Sequence, residues 1–502
     1  MSRTERFFAA ALALLLLGVR AACFFRYRFD SDEPQHLHVA WGWTQGLIQY
    51  RDLFDNHAPL FHIVTAPFLA LFGERADILF YMRALMLPIW IFVCVATFLI
   101  ARRFYPERVA IWSLLLLNLF PTFFLKSIEY RTDNLWVAVW MAAFLAFSSG
   151  AFFVAGLLLG ISACVSLKTS LLAITLLLAC VPRWREWRRV LPAIGGFAIA
   201  PAILALVFVK LGAWPDLVYC NFTFNELVAA TRPHHVWPRV LYLPILIAIF
   251  YFVRDHFILR MSLIYTATLG CWWILISPRD FLAILPFFAM LVAAWIDTIR
   301  LRIPALAALT LLCIVGIGHD TDWLKNDTPE FITMMNQVLH LTKPGEPLMD
   351  YKGETIYRRR PYYFIFEAIG RAQLKNRMIP DTIARDMIAA RCYVAQADGA
   401  FWPPDAKAWL LHHYIDLGRL RAAGGVLEED GRFDVAIAGS YVLIDKNGEA
   451  AGMLDGVPYH GAVQLTAGAH HFARSTNERV AWLWAPAFER GYSPFHLRDL
   501  DF

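Results

Sequence analysis

Eleven apolar runs, separated by short charged or turn-forming segments, fill residues 1–318. Such runs are too many and too long for one water-surrounded core, whereas about 20 apolar residues in a helix match the hydrocarbon thickness of a bilayer. They lie near 7–25, 78–101, 109–125, 134–148, 151–166, 168–182, 190–210, 238–254, 260–277, 281–298 and 303–318. From residue 319 the texture becomes that of an ordinary soluble domain. Overall, 17% of the residues are charged, against about 25% in soluble proteins. The expected fold is therefore a polytopic α-helical membrane protein of about eleven spans (1–318) with a large first outside loop (26–77). A C-terminal soluble domain (319–502), α/β at first and β-rich later, follows it.

Charge supplies the sidedness. With the N-terminus inside, the inside segments "SRTER", "ARRFYPER", "SSGA", "PRWREWRR", "RDHFILR" and "DTIRLR" hold thirteen Arg against five acids, the bias expected of cytoplasmic loops. Loop 26–77 reverses it, with seven acids against four Arg. An odd number of spans places the tail outside, so the expected location is the inner (plasma) membrane, N-terminus cytoplasmic and tail extracytoplasmic. The opening "RTERFFAAALALLLLGVRAACFF" lacks a small-x-small cleavage site and reads as a retained first span. The net charge of +5 comes with no Lys/Arg block, which argues against a nucleic-acid partner. Six of eight cysteines sit in apolar runs, leaving Cys220 and Cys392 as the one pair available for a disulfide outside.

The first part of the tail, "TPEFITMMNQVLHLTKPGEPLMDY", reads as helix, turn and strand. From about 432 short strands alternate with Asn-Gly and Asp-Gly turns. No internal repeat or low-complexity segment is present. The tail is expected to be folded, to serve the acceptor or the stability of the membrane part, and to supply no catalytic group. Its one cationic cluster, Arg358, Arg359 and Arg360, suits anionic headgroups or an anionic glycan, or else a plain solvated turn.

The chemistry concentrates in loop 26–77. Asp30, Asp32 and Glu33 follow the first run at once, and His36, His38, Asp52, Asp55, His57 and His62 come within about 30 residues. Asp32 has a bland alternative as a helix cap before Pro34. A solvated loop, however, needs charge and has no need of four of the chain's fifteen histidines.

The residues resemble the C-type glycosyltransferase superfamily, specifically its protein O-mannosyltransferases and lipid A aminoarabinose transferases. The pieces are "DEPQHLHVAWGWTQG", "FDNHAPLFHIVTAPFLALFG", "EYRTDNLWVAVW", "GLLLGISACVSLKTSLL" and "SPRDFLAILPFFAML". Their order, spacing and side of the membrane carry the likeness over residues 1–318. The resemblance implies a polyprenyl-phosphate sugar donor and transfer to an acceptor hydroxyl on a glycan, lipid or protein outside, with membrane lipids around it.

Asp32 is then the expected general base, with Glu33 as its partner or the alternative base, since an attacking hydroxyl must lose its proton within hydrogen-bond reach. Asp133 matches the second acidic position of the family. Arg279, Lys168 and Arg131 are the expected donor-phosphate ligands; the bland readings are an Arg279–Asp280 pair, a short-loop Lys168 and a snorkelling Arg131. Asp55, His57 and His36 are expected to bind substrate. This chain has Asn56-His57 where the aminoarabinose enzymes have an acid followed by lysine, which leaves the sugar open. No cofactor is required by the residues; a divalent metal on Asp55 and His57, with His36, stays open because these ligand types suit one. His234 and His235 either line the acceptor cleft or sit at the interface, and His470 and His471 carry no assignment. A transporter or flippase of a lipid-linked sugar is the rival from another class, and a glycan polymerase or ligase the rival on the same fold.

Overall fold

The computed structural model describes residues 1–180, 188, 190–226, 238–253, 255–273, 275–396 and 402–497. Helices Arg3–Arg26, Thr132–Ser148, Phe152–Val165, Thr169–Ala179, Val190–Lys210, Tyr242–Phe252, Phe257–Trp272, Leu285–Thr298 and Arg302–Asp320 coincide with expected spans. The run near 109–125 breaks into Glu107–Leu119 and Pro121–Lys126, because proline has no N–H to continue the ladder. Among the described residues, four helices are long and apolar enough to cross a membrane, and seven shorter apolar ones accompany them. His234 and His235 lie outside the described residues.

One helix seam is built from small residues. A Cβ on Gly156 would lie 1.9 Å from the Ala193 carbonyl oxygen, and one on Gly160 would lie 2.3 Å from that of Phe197. The two backbones therefore touch, as in small-xxx-small packing between membrane helices, where close approach replaces the absent hydrophobic drive.

Loop 26–77 is more ordered than a connector. It contains helix Asp32–Thr44, here called the lip helix, and helix Leu60–Phe72. The second is apolar, but its 13 residues span only about 20 Å. It leaves Val64, Phe68 and Leu71 exposed on one side.

The tail begins with helix Pro329–Leu341 and a parallel pairing of Leu348–Met349 with Val394–Ala395. In its eight-stranded sheet, Ala481–Trp484 lies antiparallel between Arg421–Val426 and Gly439–Asp445. A four-stranded sheet runs Arg432–Val435, Gly468–Arg474, Gly452–Leu454, Val457–Pro458. The turn between the last two strands is Asp455-Gly456, with φ of 50° and 83°. Both values fit the tight hairpin that Asp-Gly favours. This is the α/β-then-β texture expected from the sequence. Cys220 and Cys392 are both free and sit in separate apolar clusters, so they form no disulfide.

The tail is seated on loop 26–77. Tyr357 accepts from the Arg75 N–H at 3.3 Å and Arg358 pairs with Glu74 at 2.9 Å. Tyr50, Phe54, Phe224, Ile365 and Ile369 share one apolar cluster. The expectation for the arginine cluster is corrected here. Arg358 and Arg360 are buried and paired, with Glu74 and Asp350, and Arg359 alone is exposed.

Candidate active site

Asp32 opens the lip helix, yet its carboxylate does not cap it. The Asp30 N–H donates to Glu33 Oε1 at 2.8 Å, which frees Asp32 to turn outward. It pairs with Arg131 on one oxygen and, at 2.5 Å, with Lys352 on the other. Glu33, one residue on, points elsewhere because successive helical side chains diverge by about 100°. It forms a fully buried bidentate pair with Arg83 and also accepts the Tyr130 N–H at 2.8 Å. All its acceptor capacity toward the interior is taken.

From Asp32 a connected set of ion pairs runs through the site. Arg131 reaches Asp30 at 2.8 Å and Asp133 at 3.4 Å. Arg279 reaches Asp30 at 2.5 Å and Glu129 at 3.2 Å, and Lys126 closes on Glu129 at 2.6 Å. Lys168 lies between Asp133 at 3.0 Å and Asp280 at 2.7 Å. Among the described residues, five carboxylates, Asp30, Asp32, Glu129, Asp133 and Asp280, thus face six cations, Arg131, Arg279, Lys168, Lys352, Lys126 and, at 3.8 Å from Asp30, the more exposed Arg28. Burial alone would raise the Asp32 carboxyl, but Arg131 and Lys352 outweigh it and hold it well below the usual carboxylate range. Asp30 is lowered in the same way by Arg131 and Arg279, against its burial.

The bland readings of the three cations do not match this geometry. Arg131 turns inward with 8% of its side chain exposed. Arg279 leaves its neighbour Asp280 to Ser277, which Asp280 caps, and to Lys168. Lys168 is held between two acids.

Behind the lip helix lies an imidazole cluster. Asp55, fully buried, takes His57 Nδ1 at 2.8 Å and the Gln49 amide at 2.7 Å. His62 joins His36 ring to ring, nitrogen to nitrogen, at 3.0 Å. The His36 and His57 rings lie 4.6 Å apart. Burial would lower His57, but Asp55 outweighs it and pushes the imidazole above its ordinary value. His36, with no carboxylate partner, is held well below its own, by burial first and by His57 and His62 next. Among the described residues no group of three His, Cys, Asp or Glu side chains is set to hold a metal ion.

Sequence reasoning missed four participants. Glu129 stands two residues before Arg131 in "EYRTDN", where a carboxylate between apolar runs was signal enough. Asp30 was visible at the lip but not as the hub of two arginines. His62 was counted but not linked to His36. Lys352 had no local signal, and its arrival at Asp32 departs from the expectation that the tail brings no group to the site. Glu367 of the tail is electrostatically coupled to the same place: burial raises its carboxyl, and Asp32 and Asp55 add to this against Lys352.

No protein-family model matches the chain, and no curated protein matches it in sequence. Among solved structures the likeness is to the fold of ArnT. Two of the similar structures are of ArnT from Cupriavidus metallidurans. The one bound to undecaprenyl phosphate has a TM-score of 0.59 at 13% identity, covering 84% of this chain and 98% of that one. The apo state has a TM-score of 0.57 at 13% identity, covering 82% and 98%. At that identity the likeness establishes the fold: apolar helices with a β-rich C-terminal domain, as in ArnT.

Proposed function

We propose that the protein transfers a glycosyl group from a polyprenyl-phosphate carrier to an acceptor hydroxyl at the extracytoplasmic face of the inner membrane. The observation that carries this reading is the convergence of Arg131 and Arg279 on Asp30, with Lys168 nearby. Guanidinium groups aimed at one buried oxyanion make a place for a phosphate, and bidentate arginine contacts are the strong ones. That a protein with this fold binds undecaprenyl phosphate supports the choice of anion.

In this reading the acceptor oxygen attacks the anomeric carbon and its proton passes to Asp32. The bond from that carbon to the phosphate oxygen breaks, and its electron pair leaves with the phosphate. Arg131 and Arg279 meet the developing charge, which is where electrostatic stabilisation counts most. Lys168 fixes Asp133, which orients the reacting groups. Asp55, His57 and His36 line the sugar side, with His57 in contact because a third of its side chain is exposed. Glu33 serves by clasping Arg83 and fixing the start of the lip helix. The tail, outside, faces the acceptor.

The test is transfer from labelled undecaprenyl-phosphate sugars to hydroxyl acceptors by purified protein in detergent. Release of the carrier phosphate with a new glycoside supports the reading. Movement of the lipid-linked sugar across proteoliposomes with no glycoside formed would replace it with the transporter.

A further inference from the structure

We propose that Lys352, carried by the tail, is a ligand of the carrier phosphate, and that in the ligand-free protein Asp32 occupies the place of that phosphate. The inference rests on the transfer reading above. Lys352 donates to Asp32 at 2.5 Å and to the Ser31 hydroxyl at 3.1 Å, and its side chain is 9% exposed. A buried ammonium needs an anion, and Asp32 provides one from the opposite end of the chain.

The turn that delivers this lysine is built for the purpose. Asp350 accepts from the Gly353 N–H, the Thr355 N–H and the Thr355 hydroxyl, each at 2.8 Å, and Arg360 holds the same carboxylate at 2.8 Å. Gly353 takes a φ of +96°, and a Cβ there would lie 2.7 Å from the His38 ring; glycine alone satisfies both. His38 Nδ1 meets the Ile356 carbonyl at 2.7 Å. The turn thus rests directly on the lip helix, with its lysine one position before the contact. Anchoring of the tail does not explain the lysine, since Tyr357, Arg358–Glu74 and the Tyr50–Ile365 cluster already provide it.

Asp32 therefore sits between two cations, Arg131 and Lys352, in the arrangement a phosphate would take. Both cations thus already have a carboxylate partner without substrate. When the carrier phosphate enters, its charge competes with Asp32 for both cations. The carboxylate so released is the one that accepts the acceptor's proton, so phosphate binding and activation of the base become one event. Nothing else changes hands: the cations exchange one anion for another, and the proton moves from hydroxyl to carboxylate.

Binding of undecaprenyl phosphate to the full chain in detergent tests this, together with transfer kinetics. Lys352→Met should weaken binding about tenfold or more, the scale of one charge-assisted hydrogen bond, and Lys352→Arg should restore most of it. Asp32→Asn, which removes the competing anion, should bind undecaprenyl phosphate several-fold more tightly while losing transfer, and the gain should vanish in Asp32→Asn with Lys352→Met. Should Lys352→Met not fold, the Asp32→Asn result decides. Binding by Lys352→Met within twofold of the unmodified protein, or by Asp32→Asn no tighter than it, overturns the proposal even if transfer proceeds. Lysine-dependent binding in a protein that transfers no sugar leaves this site standing and removes the transfer reading instead.

Discussion

Glu33 and Arg83 clasp each other through both carboxylate oxygens, 50 residues apart in sequence, with neither side chain exposed. Cutting one partner of such a pair strands a charge in a dry place, which costs about 3–5 kcal/mol. Arg83→Ala and Glu33→Gln are therefore expected to lower the melting temperature in detergent sharply and to reduce yield. A melting curve for Arg83→Ala that overlays the unmodified protein's would show that the pair does not hold the lip helix.

Asp32→Asn has the opposite signature. Its carboxylate is partly exposed, and without it Arg131 keeps Asp30 and Asp133 and Lys352 keeps the Ser31 hydroxyl, so an amide of the same size keeps the fold. Transfer is expected to drop about 100-fold or more, the scale of a lost general base. Turnover near normal in this variant, with Glu33 intact, removes Asp32 from the reaction.

Arg279→Ala takes away the cation shared by Asp30 and Glu129. The apparent KM for the lipid donor is expected to rise about tenfold or more, from the loss of a charge-assisted contact, with little change in the acceptor's KM. Equal effects on both substrates would place Arg279 in general site architecture.

The His57–Asp55 pair gives a pH dependence with a definite sign. Because Asp55 raises His57 despite its burial, the pair's stabilisation is fully present below the ordinary imidazole value near 6.5. It is lost as pH climbs through the raised value. Asp32, held down by its two cations against burial, contributes above the ordinary carboxylate range and loses its contribution only as pH falls through the lowered value. Burial holds His36 below its ordinary value and so works in the opposite direction near 6.5, which makes the pair's own contribution a difference: the melting-temperature gap between the unmodified protein and Asp55→Asn should narrow as pH rises from about 6 to about 9. A gap that stays constant over that range would assign the pH dependence to other groups.

The helices were legible because each apolar run is a local signal; among the described residues the runs near 109–125 and 78–101 are interrupted, at Pro121 and at Leu85. The site was legible where chemistry stood out against a greasy background: Arg131, Asp133, Lys168 and Arg279 are charges between apolar runs, and they converge. Two kinds of information were not local. Asp32 and Glu33 are neighbours in sequence, and only the helix that begins at Asp32 sends one to the cations of the site and the other to Arg83. Lys352 sits in a polar stretch, "YKGET", where a lysine is unremarked; it becomes informative once the turn around Gly353 is known to rest on His38. The arginine cluster misled for the related reason that two of its three side chains find acids from distant segments.

The Lys352 contact also sets an order of events in the making of the protein. Asp32 and Lys352 are 320 residues apart. At about 5–20 residues per second, the ribosome reaches the lysine roughly 15–65 s after the aspartate. Arg131, Lys168 and Arg279 are added one after another within that interval, and Lys352 is the last of the set to be made. The contact thus forms late, when the nascent tail has folded its Asp350 turn and come to rest on the lip helix, so that a chain released early carries the membrane part without the Lys352–Asp32 pair.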